Sequence, residues 1–220
     1  MRGEYRPYSE RTPDTQYKDL IRAILKNGIK SPSPMVDENG KEVNTIDLLG
    51  APVMRFDLLK NGVPVLTERA IKFWKAPIGE LLGFINGAKT QEELEKYGCK
   101  WWKSWCTDEK CAKRGLEPGD LGPGSYGAAF HDFPTAEGEA FNQFAEIIQQ
   151  MKERPELKTH LISPWIPQYT IRNKHHQQKV VVCPCHGWMH FRILENKLHL
   201  VLFQRSCDVL IGCPSNWVQY

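Results

Sequence analysis

No apolar run in the 220-residue sequence comes near the about 20 residues that a bilayer-spanning helix needs; Val180-Val181-Val182 is typical of the longest. No sign of charge dominates. Twenty-nine basic residues face 26 acidic ones, a net +3. That excludes a cationic nucleic-acid coat and an acidic solvating tail, and neither DNA binding nor membrane insertion is expected. The first residues, Met1-Arg2-Gly3-Glu4-Tyr5, hold no apolar stretch of signal-peptide type. The seven cysteines are an odd number. Together these point to reduced thiols in a cytoplasmic setting. Internal repeats and low-complexity segments are also missing. What is present is a composition that can bury a core, 41% hydrophobic and 25% charged.

Hydrophobic periodicity predicts a helix within Asp19–Leu25, an apolar helix over Phe73–Ile85 with Glu80 as its only acid, and an amphipathic helix over Glu137–Lys152 carrying Phe141, Phe144, Ile148 and Met151. Residues 1–12 read as a polar arm, and Asn27–Asn44 and Gly98–Leu121 as irregular. Val53–Leu58 alternates like a strand, followed by hairpin chemistry at Lys60-Asn61-Gly62 and a second strand over Val63–Leu66. Later strands are expected at His160–Trp165, Val180–Pro184, Trp188–Leu194 and Leu198–Gln204. Glu195-Asn196 marks a turn between the last two. The order predicts an α+β fold, one domain over residues 1–220, with a mostly antiparallel or mixed twisted sheet packed by helices.

Four segments carry chemistry. In Cys183-Pro184-Cys185-His186, a thiol beside an imidazole suits a nucleophile, and the competing reading is a pair of structural thiols. A zinc site joining these thiols to Cys106 and Cys111 lacks the usual two-residue gap in either pair, so no metal is expected. Gln204-Arg205-Ser206-Cys207-Asp208 follows an apolar strand with an anion clamp. Asp120-Leu121-Gly122-Pro123 with Tyr126-Gly127 reads as a turn. Trp101, Trp102 and Trp105 are core aromatics or a stacking wall for a flat heterocycle.

Taken together, the motifs resemble the thymidylate synthase family. The likeness lies in Pro184-Cys185-His186, in Gln204 to Val209 with Gly212, Pro214 and Asn216, and in Phe73-Trp74-Lys75 with Glu80-Leu81-Leu82 and Phe84-Ile85. It extends to Trp102 and Trp105, to Gly119–Pro123 with Tyr126-Gly127, and to Val53–Phe56. It runs from about Asp19 to the end. The resemblance implies reductive methylation of dUMP to dTMP by 5,10-methylenetetrahydrofolate, through a covalent adduct of Cys185 at pyrimidine C6, by a homodimer. It gives Glu80 and Tyr126 the proton and water network. Arg205 and Ser206 hold the phosphate, and Gln204, His186 and Asn216 bind the nucleotide, Asn216 reading the base edge. Asp208 holds the pterin, with Trp102 and Trp105 beside it. Binding of its own mRNA is not indicated.

The sequence departs from the family in four places. No Arg-Thr-Gly loop stands near Lys41–Thr45. Lys158 and Thr159 occupy the positions of the family's arginine pair. Tyr126-Gly127-Ala128-Ala129-Phe130-His131 replaces Tyr-Gly-x-Gln-Trp-Arg, with one extra residue before it. The sequence stops at Tyr220, which suggests a C-terminal part of the family fold is missing. The alternatives are therefore a 5-hydroxymethylase of the same superfamily acting on dUMP, dCMP or CMP, and an inactive nucleotide- or RNA-binding homologue or gene fragment.

Overall fold

The computed structural model describes residues 15–36, 39–61 and 71–220. The arm at 1–12, Gly62 and the strand expected over Val63–Leu66 lie outside the described residues. The chain divides between Lys72 and Phe73 into two compact units.

In the first unit, α1 (Gln16–Asn27) confirms the first helix. Its apolar face buries Leu20 together with Tyr17. The stretch read as a loop instead forms a hairpin of β1 (Ile29–Val36) and β2 (Glu42–Asp47). Prolines at 32 and 34 argued against a strand, but in a two-stranded ribbon each strand has a free edge on which a missing N–H costs nothing. In the stretch expected as a strand over Val53–Leu58, residues 53–57 form no strand and have no ladder partner among the described residues. Instead Arg55 N–H donates to Gln16 Oε1 and Gln16 Nε2 donates to Arg55 O, a side-chain imitation of one β pair. Leu58–Asn61 forms the short helix α2, so Lys60 and Asn61 of the expected Lys60-Asn61-Gly62 turn are helical.

The second unit opens with α3 (Lys75–Ile85), as expected for the apolar helix. Next comes α4 (Gln91–Lys96), started by a capping box in which Thr90 and Glu93 satisfy each other's backbone N–H. A 3₁₀ turn at Trp101–Ser104, α5 (Asp108–Ala112) and α6 (Tyr126–His131) follow. Short strands β3 (Phe133–Pro134) and β4 (Ala140–Phe141) pair antiparallel, which keeps Phe141 out of the next helix. That helix, α7 (Gln143–Glu153), begins where Asn142 Oδ1 caps Ala145 N–H, later than its periodicity suggested.

The main sheet has the order β5-β6-β7, all antiparallel: β5 (Leu161–Ile162), β6 (Trp188–Leu194) and β7 (Lys197–Phe203). Glu195 and Asn196 both take positive φ, the two-residue turn the sequence predicted. Between β5 and β6 lies α8 (Pro167–Thr170), and α9 (Gly212–Gln219) closes the unit. Val180–Pro184 forms no ladder. Side chains take its acceptor instead, since Arg114 Nε and Gln178 Nε2 both donate to Val180 O. The described residues thus build an α+β fold with small antiparallel sheets rather than one large twisted sheet. Phe84, Leu94, Leu121, Tyr126, Phe130, Ile162, Val181 and Met189 form the core. Each such side chain contributes roughly 1.5–3 kcal/mol by burial. Among the described residues no helix is long and apolar enough to cross a membrane.

Candidate active site

Cys185 sits where the irregular Val180–Pro184 segment turns toward β6. The backbone after β7 runs alongside it, with Arg205 N–H donating to Cys185 O at 2.9 Å. The Arg205 side chain folds back over the thiol. Its Nε donates to Pro184 O at 2.6 Å, and its Nη2 to Cys183 O at 2.9 Å. Nη2 also lies 3.4 Å from Cys185 Sγ. Two carbonyls therefore aim the guanidinium at the sulfur. Burial pushes the Cys185 thiol above its ordinary pKa, the Arg205 charge pulls it back down, and nearby Cys207 works against ionisation. Arg205 does lower the thiol as the sequence suggested, but desolvation is the larger effect.

Behind Cys185 stands a buried aromatic group. Cys185 N–H donates to Tyr126 Oη at 2.7 Å, and His186 N–H to the same oxygen at 3.4 Å. The Tyr126 ring stacks on Phe84 at 4.9 Å and on His186 at 4.8 Å. His186 Nδ1 is 2.8 Å from Tyr220 Oη. Burial lowers the His186 pKa to about 4 and holds both tyrosines well above theirs, so all three are neutral at pH 7. Ala128, Ala129 and Phe130 of α6 are buried core residues.

Glu80 projects from α3 into the same interior. Its Oε1 accepts the indole N–H of Trp101 at 2.6 Å and that of Trp102, and its Oε2 accepts Gln219 Nε2. Burial pushes the carboxyl pKa up and these three donors oppose that rise. Gln219 also accepts from Asn216 Nδ2 at 2.7 Å, and Asn216 Oδ1 accepts from Gln204 Nε2 at 2.7 Å. Gln219 and Tyr220 were not singled out, and the sequence presents Trp101 as a core aromatic or stacking wall rather than as a partner of Glu80. The tandem indoles and the three-residue spacing from Asn216 to Gln219, one face of a helix, were the available signals.

The other candidates lie outside this interior. Ser206 is exposed. Asp208 is exposed and opens the turn that leads into α9, its Oδ1 accepting from Leu210 and Ile211 N–H. Trp105 is 46% exposed, with the Lys110 ammonium 5.1 Å from its ring centroid. The Asp208 carboxylate keeps acceptor capacity beside the exposed apolar side chains of Leu210 and Ile211. A carboxylate acceptor beside apolar side chains fits a flat heterocycle with N–H groups, such as a pterin. A cavity of about 420 Å³ at Arg172–Gln177 and one of about 200 Å³ between Asn86 and Tyr97 are not lined by any of these residues. Among the described residues, no three His, Cys, Asp or Glu side chains are grouped to hold a metal.

In the second unit the α+β fold brings together a half-buried thiol, an exposed guanidinium and a buried row of carboxylate and amides. The thymidylate synthase family model matches residues 15–220, and the chain belongs to that family. Members use methylenetetrahydrofolate as cosubstrate.

Proposed function

We propose that the protein is a thymidylate synthase, methylating dUMP reductively to dTMP. The observation that carries this reading is the Cys185 thiol held 3.4 Å from the Arg205 guanidinium, with Tyr126 bonded to its backbone and His186 and Tyr220 paired behind it. A uracil C5 is a poor nucleophile. Addition of the Cys185 thiolate at C6 turns C5 into an enolate carbon able to attack a one-carbon unit. Methylenetetrahydrofolate supplies that unit and, for methylation, the hydride.

Arg205 binds the phosphate and stabilises the developing thiolate, with Ser206 adding a hydroxyl. Glu80 and Tyr126 move protons and water at the pyrimidine. His186 and Gln204 line the nucleotide, and Asn216 reads N3 and O4 of the base. Asp208, Trp102 and Trp105 hold the folate. A homodimer belongs to the same proposal.

The test incubates the protein with dUMP and methylenetetrahydrofolate. Dihydrofolate with dTMP is the expected result. Hydroxymethyl-dUMP without dihydrofolate would assign the hydroxymethylase activity instead, and no turnover would remove both. Trapping with 5-fluoro-dUMP and methylenetetrahydrofolate is expected to modify the Cys185 peptide alone. A Cys185→Ser protein with normal turnover would end the reading.

A further inference from the structure

Asn216 belongs to a row of four side chains whose hydrogen bonds all run one way: Gln204 donates to Asn216, Asn216 to Gln219, and Gln219 to Glu80. An amide has one accepting end and one donating end. Reversing one member of the row sets like against like unless its neighbours reverse too. The direction is fixed at the Glu80 end. Two indole N–H groups and one amide N–H converge on its two oxygens, so every hydrogen bond Glu80 makes here is one it accepts. Gln219 must therefore turn its NH₂ to Glu80 and its carbonyl to Asn216. Asn216 must then turn its NH₂ to Gln219 and its carbonyl to Gln204. Glu80, Asn216 and Gln219 are all buried, so a reversed amide finds no water to compensate it.

We propose that Gln219 is a positioning residue through which Glu80 fixes the orientation of the Asn216 amide, and with it the choice of uracil over cytosine. The inference rests on the reading of Asn216 as the base-reading group. Beyond its internal bonds, Asn216 keeps one Oδ1 lone pair and one Nδ2–H. The lone pair accepts from uracil N3–H and the N–H donates to O4. Cytosine offers an acceptor at N3 and a donor at its amino group, so each meets its like. An amide alone reads either base; the carboxylate at the far end of the row removes the choice.

The titratable groups on the elements packed against α3 leave this arrangement intact. Cys99 after α4 is pushed up to about 12 by burial and by Glu80, and Tyr126 of α6 and Tyr220 after α9 are also held neutral. On α4, Glu92 pairs with Lys96, Glu93 with the Lys89 and Thr90 backbone, and Glu95 with Lys103. His131 of α6 pairs with Asp132.

Glu80→Gln reverses the row. Its carbonyl keeps the two indoles, and its new NH₂ obliges Gln219, Asn216 and Gln204 each to turn over. Gln219→Met breaks the row. Calorimetric binding of dUMP and dCMP, without folate, reads both effects. The native protein is expected to prefer dUMP about ten- to a hundredfold. Glu80→Gln should favour dCMP, and Gln219→Met should bring the two affinities close together. Equal binding by the native protein, or a folded variant that keeps the native ratio, overturns the proposal. If Glu80→Gln fails to fold, Gln219→Met decides. If the native protein binds neither nucleotide, the proposed function falls. The relay is then judged on the side-chain amide NMR signals of Asn216 in ligand-free Glu80→Gln, which shift if the row reverses and overturn it if they do not.

Discussion

Burial holds two neighbouring side chains, Cys185 and His186, in their neutral forms, and each can be tested alone. For Cys185, Arg205 is the group that favours the thiolate. Arg205→Met is therefore expected to move the midpoint of iodoacetamide alkylation at Cys185 to higher pH, followed by mass spectrometry of the Cys185 peptide. An unchanged midpoint would mean the guanidinium does not act on the sulfur. For His186 the folded pKa is about 4 against 6.5 for the free side chain. The unfolded chain binds the extra proton between those values, so stability rises with pH across that window. The contribution is complete above about pH 6.5 and is lost as pH falls toward 4, at up to about 1.4 kcal/mol per pH unit. Glu80, raised rather than lowered, adds a slope of opposite sign. Urea unfolding of the native protein and His186→Asn isolates the histidine, because Glu80 is common to both. The variant should show the smaller loss between pH 6.5 and 4, and equal losses would exclude His186 as the cause.

At the scale of elements, close backbone approach sets where Glu80 points. Gly79 precedes it on α3, and a Cβ there would stand 2.0 Å from Tyr97 O. That oxygen is backbone and cannot swing aside. Gly79→Ala is expected to cost roughly 1–3 kcal/mol by overpacking, a fall of roughly 2–4 °C in Tm for each kcal/mol. A melting curve unchanged within a degree would show that α3 shifts freely. The sequence made α1, α3 and the β6–β7 hairpin legible, because a long apolar period or a positive-φ turn pair is written locally. The β1–β2 hairpin was hidden by its prolines, and Val53–Leu58 was misread because alternation alone does not make a strand: residues 53–57 take none and Leu58 begins α2. Within the site, Cys185, Arg205, Glu80 and Asn216 stood out from their motifs. Gln219 did not, nor did the bond from Trp101 to Glu80, since these contacts arise only when the 3₁₀ turn and α9 pack against α3.

At the scale of the whole molecule, the register of the main sheet decides what faces outward. Met189 and Leu202 are paired and point into the core. The opposite side carries Leu161, Val201 and Phe203, exposed by 55%, 62% and 59%. Trp188 on that side touches Phe203 and stacks on Trp165, whose ring lies 5.4 Å from the Arg205 guanidinium carbon. Contiguous apolar side chains on a sheet face mark an interaction surface. A second copy of this chain is the occupant the proposed homodimer requires, since a two-fold axis lets one such face cover another. Sedimentation at micromolar concentration is therefore expected to give a dimer. Val201→Glu would bury a charge in that interface and should give a folded monomer. Because the aromatic row ends at Arg205, the monomeric variant should also show a higher alkylation midpoint at Cys185, as water reaches the guanidinium and weakens its pull on the thiol. A folded native monomer, or a Val201→Glu protein that stays dimeric, would put the interface elsewhere and leave this face without its partner.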